Sequence, residues 1–295
     1  MQIDSANSFY HIPVMGREVV EGLAICAGGR YLDATVGGGG HSQLILSAAP
    51  NVELIAIDQD QHALQAAQQR LAIYSDRVEF YHLNFAEFQS EQSQFDGIVA
   101  DLGVSSAQVD QADRGFSFRQ TAPLDMRMDQ GRSLTAAEII NTWDEAELAR
   151  IFYTYGEERL SRKLARRIVE RRPLQTTTDL AEVIFYAVPS SYRYGRIHPA
   201  TRIFQALRIA VNGELDVLET FLNAAPTWLK PGGRLVIISF HSLEDRLVKH
   251  AFRNSSLLQV ITRKPITPNQ AEIQENTRSR SAKLRIAERV QIDHQ

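Results

Sequence analysis

One stretch constrains this chain more than any other: Asp33-Ala34-Thr35-Val36-Gly37-Gly38-Gly39-Gly40-His41-Ser42. The short apolar run Arg30-Tyr31-Leu32 precedes it and the helix-like Gln43-Leu44-Ile45-Leu46 follows it. That order predicts a strand, a glycine turn and a helix start. Consecutive glycines present no Cβ to fend off a ligand and allow positive φ where the turn needs it. The helix behind them offers free N–H groups and the positive end of its dipole. A polar or anionic ligand with a flat body is therefore expected across the turn.

The dinucleotide fingerprint G-x-G-x-x-G asks for glycine at three positions. Counted from Gly37, the third position is Ser42; counted from Gly38, it is Gln43. The pattern fails at its helix-packing glycine. Asp33, four places before Gly37, would repel phosphates but could bind an amine. A ligand with a cationic amino-acid end and an adenosine end, such as S-adenosyl-L-methionine, suits these residues better than NAD, which stays open as the alternative. Asp58 ends the next apolar strand (Leu54-Ile55-Ala56-Ile57), at the offset of about 20 residues expected for a carboxylate on ribose hydroxyls.

Composition narrows the class. The 295 residues are 44% hydrophobic and 23% charged, enough for one large domain or one domain with an insertion. The polar start Met1–Asn7 lacks the basic and apolar regions of a signal peptide. Apolar runs are strand-sized, so no membrane span is expected. The single cysteine, Cys26, excludes an intramolecular disulfide, points to a reducing cytoplasm and is expected to be a small core residue. A net charge of −3 gives no global support to a nucleic-acid partner, so that case rests on local patches.

Along the chain, apolar spacing predicts a helix over 14–23, a helix over 60–71 capped by Asp60, and strands over 78–83 and 95–101. Strands alternating with helices argue a parallel sheet covered on both faces, an α/β Rossmann-like architecture. The next strand, Arg234–Ser239, follows Pro231-Gly232-Gly233, with Val211, Leu215, Leu218, Leu222, Ala225 and Leu229 as one helix face before it. The interval from Asp101 is far too long for one crossover, so residues 107–205 read as an inserted domain between segments 1–106 and 206–295. The insertion reads helical, with caps expected at Ser133, Asp144 and Thr178, and a basic helix from Arg159 to Arg172 ending at Pro173. Residues 113–128 show no period and read as an ordered loop near the site. Ala282–Ala287 alternates apolar and basic residues, as an edge strand with one wet face would.

Open α/β sheets bind ligands beyond the carboxyl ends of their strands. The residues there are Asp33, Asp58, Phe85, Asp101 and Ser239-Phe240-His241-Ser242. Asp101 is expected near the middle of the cleft, Phe85 either beside an adenine ring or in the core, and His41 and His241 in the cleft. No second His or Cys stands at ligand spacing, so no metal is expected. Basic residues gather in Arg159–Arg172 and again beyond Arg246, including Lys249, Arg253, Arg263 and Lys264. Asn276-Thr277-Arg278-Ser279-Arg280-Ser281 mixes Arg with hydroxyls, the donors phosphate oxygens prefer.

An ordered set of motifs adds to this reading. It comprises His11-Ile12-Pro13-Val14, Asp33–Ser42, Ala56-Ile57-Asp58, Asp101-Leu102-Gly103-Val104-Ser105-Ser106-Ala107-Gln108, Arg114-Gly115-Phe116-Ser117-Phe118 and Pro123–Met128. Tyr155–Arg159, His198–Arg202 with Phe204-Gln205-Ala206, Ser239–Arg246 and Arg278–Ser281 complete it. With these the chain resembles, nearly end to end, the bacterial RsmH (MraW) family of small-subunit ribosomal RNA cytosine-N4 methyltransferases. The resemblance implies S-adenosyl-L-methionine contacts at Gly39, Gly40, His41, Asp58, Phe85, Asp101 and Gln108, on a Rossmann-like methyltransferase sheet with a helical insertion for substrate recognition. It implies methylation of 16S ribosomal RNA at the decoding region, within the small subunit, and leaves a homodimer open. The D-P-P-Y-like motif of other N4-amine methyltransferases is absent: Asp101-Leu102-Gly103-Val104 stands in its place, and no stacking aromatic is named by the sequence. Asp101 is the candidate proton acceptor, with Ser239 and His241 as secondary candidates. The rival readings are a NAD-dependent oxidoreductase and a non-catalytic RNA-binding assembly factor.

Overall fold

The computed structural model describes residues 12–91 and 93–291; His11 and the polar N-terminal start lie outside them. The chain forms two compact units, one built from the residues up to Gly103 together with those from Phe221 onward, the other from Val104–Thr220.

The first unit opens with α1 (Gly16–Leu23), β1 (Arg30–Asp33), α2 (Gly40–Ala48), β2 (Glu53–Asp58), α3 (Gln61–Arg70), β3 (Val78–His82) and β4 (Phe95–Asp101). Asp60 caps α3, its side chain accepting from His62 N. In the second unit follow α4 (Ser106–Asp110), α5 (Ala136–Thr142), α6 (Glu145–Thr154), α7 (Ser161–Val169), α8 (Thr177–Ala187), α9 (Ser190–Arg193) and α10 (Ala200–Asn212). Then α11 (Glu214–Trp228) leads back to the first unit, which ends with β5 (Leu229–Ser239), α12 (Ser242–Asn254), β6 (Leu258–Val260), α13 (Gln270–Glu275) and β7 (Lys283–Arg289).

The strands form one sheet in the order β3-β2-β1-β4-β5-β7-β6. The first five are parallel, while β7 runs antiparallel to both β5 and β6. The chain winds outward from β1 to β3 and then returns to β4 on the other side of β1. That reversal makes the carboxyl ends of β1 and β4 a switch point, where such sheets open a crevice. Register puts Asp33 opposite Ala56 and Val99, Asp58 opposite His82, and Asp101 opposite Ile238. β2 and β4 are buried over most of their length, which is why both read as unbroken apolar runs.

Three sequence expectations change here. β7 is not the edge strand: β6, from a segment without a recognisable motif, covers it, and Leu284 to Ala287 are buried. Its alternation reflects a buried Arg285 whose Nε donates to Asp245 Oδ1 at 2.7 Å rather than a wet face. Cys26 is exposed: it lies on a turn tethered to the core by buried Tyr31, whose hydroxyl accepts from Cys26 N at 2.9 Å. The helix face drawn from Val211 to Leu229 is split: α10 ends at Gly213 in the left-handed region, and Leu229 already belongs to β5.

The second unit has its own apolar core, drawn from α5, α6, α7, α8 and α10 with Leu124 and Met126 of the preceding loop. By contact this unit spans Val104–Thr220, and α10, which the sequence division cut between 205 and 206, buries Ile203, Phe204 and Leu207 together in this helical core. Asp144 caps α6, but Thr135 and Thr176, not Ser133 and Thr178, cap α5 and α8. The 113–128 loop is ordered by charge. Buried Arg114 donates to the carbonyls of Arg127 and Met128, and Arg127 forks onto Asp125 through Nε and Nη2 at 2.8 and 2.7 Å.

Candidate functional site

The glycine loop joins β1 to α2, and its members do different work. Gly37 N donates to Asp58 Oδ2 at 2.8 Å, and Asp60 N donates to Asp58 Oδ1 at 2.9 Å. Two backbone donors thus fix the Asp58 carboxylate at the end of β2. Burial outweighs them and pushes its pKa up to about 6. Gly39 is the N-cap of α2 at φ 78°, and a Cβ there would stand 3.3 Å from Ala67 Cα. Its missing side chain admits α3, not a ligand. A Cβ on Gly38, by contrast, would meet nothing within 4 Å.

Asp33, read as a possible amine contact, is a framework residue. It is 1% exposed, accepts from Ser42 Oγ at 2.6 Å and from Thr35 N at 3.2 Å, and burial raises its pKa. Thr35, which the sequence did not single out, has its Oγ1 2.7 Å from Asp101 N and ties the β1 loop to the end of β4.

Among the described residues at this edge, Asp101 and His241 each keep a buried polar atom without a hydrogen-bond partner, Asp101 through Oδ1 and His241 through Nε2. The Oδ2 of Asp101 lies 3.8 Å from His41 Nδ1. Burial pushes the Asp101 pKa up to about 7; His41 opposes the shift, and the charges of Asp33 and Glu244 add to it. The side chain as a whole is 25% exposed, so one oxygen is sealed while the group still reaches solvent. His41 donates through Nε2 to Val14 O at 2.8 Å, which fixes that proton and turns Nδ1 toward Asp101.

The other candidates divide. Ser239 is buried and donates to Lys283 O at 3.3 Å, committing its hydroxyl proton to the sheet. His241 is the N-cap of α12: its Nδ1 accepts from Glu244 N, and Glu244 Oε2 accepts from Phe240 N at 2.8 Å and His241 N at 3.2 Å. Both therefore have structural employment that Asp101 lacks. Phe85 is half-buried and meets Phe221 edge-on at 5.0 Å, within an aromatic cluster that continues through Trp228 to Phe88 and Tyr81. Gln108 belongs to the second unit, where its Oε1 accepts from Ser105 N at 3.0 Å. In the Asn276–Ser281 stretch, Ser279 is fully buried and bonds back to Asn276 O, leaving Thr277, Arg280 and Ser281 outward. On α7, Arg166 and Arg167 face Glu145 and Glu170, as on an ordinary solvated helix.

One sheet edge thus gathers an uncovered loop position at Gly38, a fixed carboxylate at Asp58 and an unpartnered buried carboxylate oxygen at Asp101. These suit a ligand that carries hydroxyls at one end and an ammonium or amine at the other.

Known proteins converge on the same kind of chemistry. The family model described as the MraW methylase family matches residues 8–290. The Ribosomal RNA small subunit methyltransferase H of Nostoc punctiforme is 68% identical over 283 residues, covering 96% of this chain and 95% of that protein. The protein of the same name from Synechococcus elongatus is 65% identical, covering 96% of each chain. That of Trichodesmium erythraeum is 61% identical, covering 95% and 99%. Between a methyl donor and a dinucleotide, the match decides for the donor, and the chain belongs to the MraW methylase family.

Proposed function

We propose that this protein transfers a methyl group from S-adenosyl-L-methionine to the exocyclic N4 of a cytidine in small-subunit (16S) ribosomal RNA, at the decoding region. The observation that carries the reading is Asp101, a carboxylate at the switch point with one buried oxygen unpartnered and a pKa near neutrality. Relatives covering nearly the whole chain are named for small-subunit ribosomal RNA, which supports the substrate class. The helical unit serves substrate recognition on faces other than the basic stripe of α7, where Arg166 and Arg167 already face Glu145 and Glu170.

The donor, when bound, supplies an activated methyl on a sulfonium. Asp58, held by Gly37 N and Asp60 N, accepts from its ribose hydroxyls. Gly39 and Gly40 shape the loop, and His41 and Phe85 would contact the donor. Cytosine N4 is a weak nucleophile because its lone pair is delocalised into the ring. Asp101 accepts a hydrogen of that amine, orients it, and takes the proton shed on transfer. General-base help of this kind contributes roughly 10²–10⁴ in rate. Ser239 and His241 stay in the framework.

The test is transfer of radiolabelled methyl from S-adenosyl-L-methionine to small subunits prepared from cells lacking this enzyme, and to naked 16S RNA, with nucleoside analysis. Label in N4-methylcytidine, or in its 2′-O-methylated form, is the expected result. Label in another nucleoside, or RNA affinity without transfer, overturns the assignment.

A further inference from the structure

The basic residues beyond Arg246 are not absorbed by the methyl-transfer site. In the first unit, Lys249 and Arg253 of α12 converge with Thr262 and Arg263, which follow β6, around a small notch walled by Phe252 and Arg285. Arg285 is buried and held by Asp245, so its charge is already answered. Among the described residues, Lys249, Arg253 and Arg263 have no ion-pair partner, and no acidic residue lines the notch. Arg253 lies in the last turn of α12, where the helix dipole favours a cation. A charged residue beside an edge strand such as β6 also guards against strand pairing. Those two reasons cover Arg253 and Arg263 singly. They do not explain why half-buried Lys249 lines the same notch and brings a third cation without an ion-pair partner to it.

We propose that this notch is a phosphate-binding site for the backbone of the RNA substrate, separate from the methyl-transfer site. Cations without carboxylate partners, joined by a hydroxyl at Thr262, are the donor set that nucleic-acid phosphates take. The notch sits on α12, whose first turn carries Glu244, and the charge of Glu244 reaches Asp101. Arg253 is nine residues further on, about 13 Å along the axis. A strand anchored there is held in register with the reacting base while its phosphates carry no sequence information. The inference rests on the RNA reading above.

The test compares the full-length protein with the triple variant Lys249→Gln, Arg253→Gln, Arg263→Gln, and with a control that removes equal charge from α7 (Arg162→Gln, Lys163→Gln, Arg166→Gln). Small subunits and naked 16S RNA serve as acceptors. For the notch variant, KM for RNA is expected to rise at least tenfold, with kcat, donor affinity and melting temperature near wild type. The slope of log affinity against log salt is expected to fall by about 2–3, since each phosphate contact contributes roughly 0.7–0.9. The α7 control is expected to change KM by less than threefold. An unchanged KM and salt slope in the notch variant, or an equal loss in the control, overturns the site. If the wild-type protein methylates no RNA, the function reading fails instead, which keeps the two failures distinguishable.

Discussion

Asp101 holds a carboxylate where neither water nor a donor reaches one of its oxygens, and the protein meets that cost by keeping a proton. Its folded pKa of about 7 stands above the ordinary 3.8, as does that of Asp58 at about 6. Between the ordinary and raised values the folded state binds protons that the unfolded state does not. The stabilisation is fully present below the ordinary value and is lost as pH rises through 6 and then 7. The unligated protein should therefore unfold more easily at pH 8 than at pH 5. Asp101→Asn should lose much of that pH dependence and be the more stable of the two at pH 8, by an amount on the order of a few kcal/mol. Denaturant midpoints of both proteins at the two pH values check this; a difference that does not change with pH means Asp101 ionises normally. The kinetic prediction follows from the same proton. A base works ionised, so kcat/KM should fall as pH drops below about 7. At saturating substrates Asp101→Asn should lose about 10² in kcat or more while donor affinity stays within a few-fold. Lost donor affinity with normal kcat would make Asp101 a donor contact and no base.

At the scale of elements, the glycine loop separates packing from binding. Gly39→Ala puts a Cβ against Ala67 and Leu71 in a left-handed backbone, so α2 and α3 must part. Left-handed φ alone costs about 1–2 kcal/mol for a residue with a Cβ. Gly38→Ala meets no atom and needs no positive φ, so it should leave unfolding unchanged and weaken donor binding, read by calorimetry. Equal loss of stability in both variants would show that the whole loop is framework. This distinction was not legible in the sequence, where four adjacent glycines look alike and only the approach of α3 tells them apart. The same holds for His241, which reads as a cleft residue but caps α12, and for Asp33, whose partner Ser42 is supplied by the first turn of α2. The parallel strands were legible because burial on both faces leaves unbroken apolar runs. β6 was not, because three residues carry no period.

At the scale of the whole molecule, the inserted unit tests whether two compact bodies are also two folding units. Residues 104–220 are contiguous in sequence, and their core closes on itself: Ile139, Leu148, Phe152, Leu164, Leu180, Ile203 and Leu207 are essentially sealed from water. Each such side chain contributes about 1.5–3 kcal/mol when fully buried. The loop before α5 adds polar closure from within the unit, since Asn212 Oδ1 accepts from Met128 N at 2.8 Å and Asn212 Nδ2 donates to Met126 O at 2.8 Å. Gly115, at φ 72°, lets that loop turn where a Cβ would lie 2.4 Å from Pro123 O. The segment 104–220 expressed alone should therefore be helical by circular dichroism and melt in one cooperative transition. Gly115→Ala should lower that transition sharply, and Asn212→Leu should lower it by about 2–4 kcal/mol through orphaned buried backbone groups. A broad, non-cooperative melt of the isolated segment would mean that the helical core depends on the sheet unit for its stability. In that case the insertion is a folding extension of the sheet, and the same substitutions in the full chain should lower a single common transition.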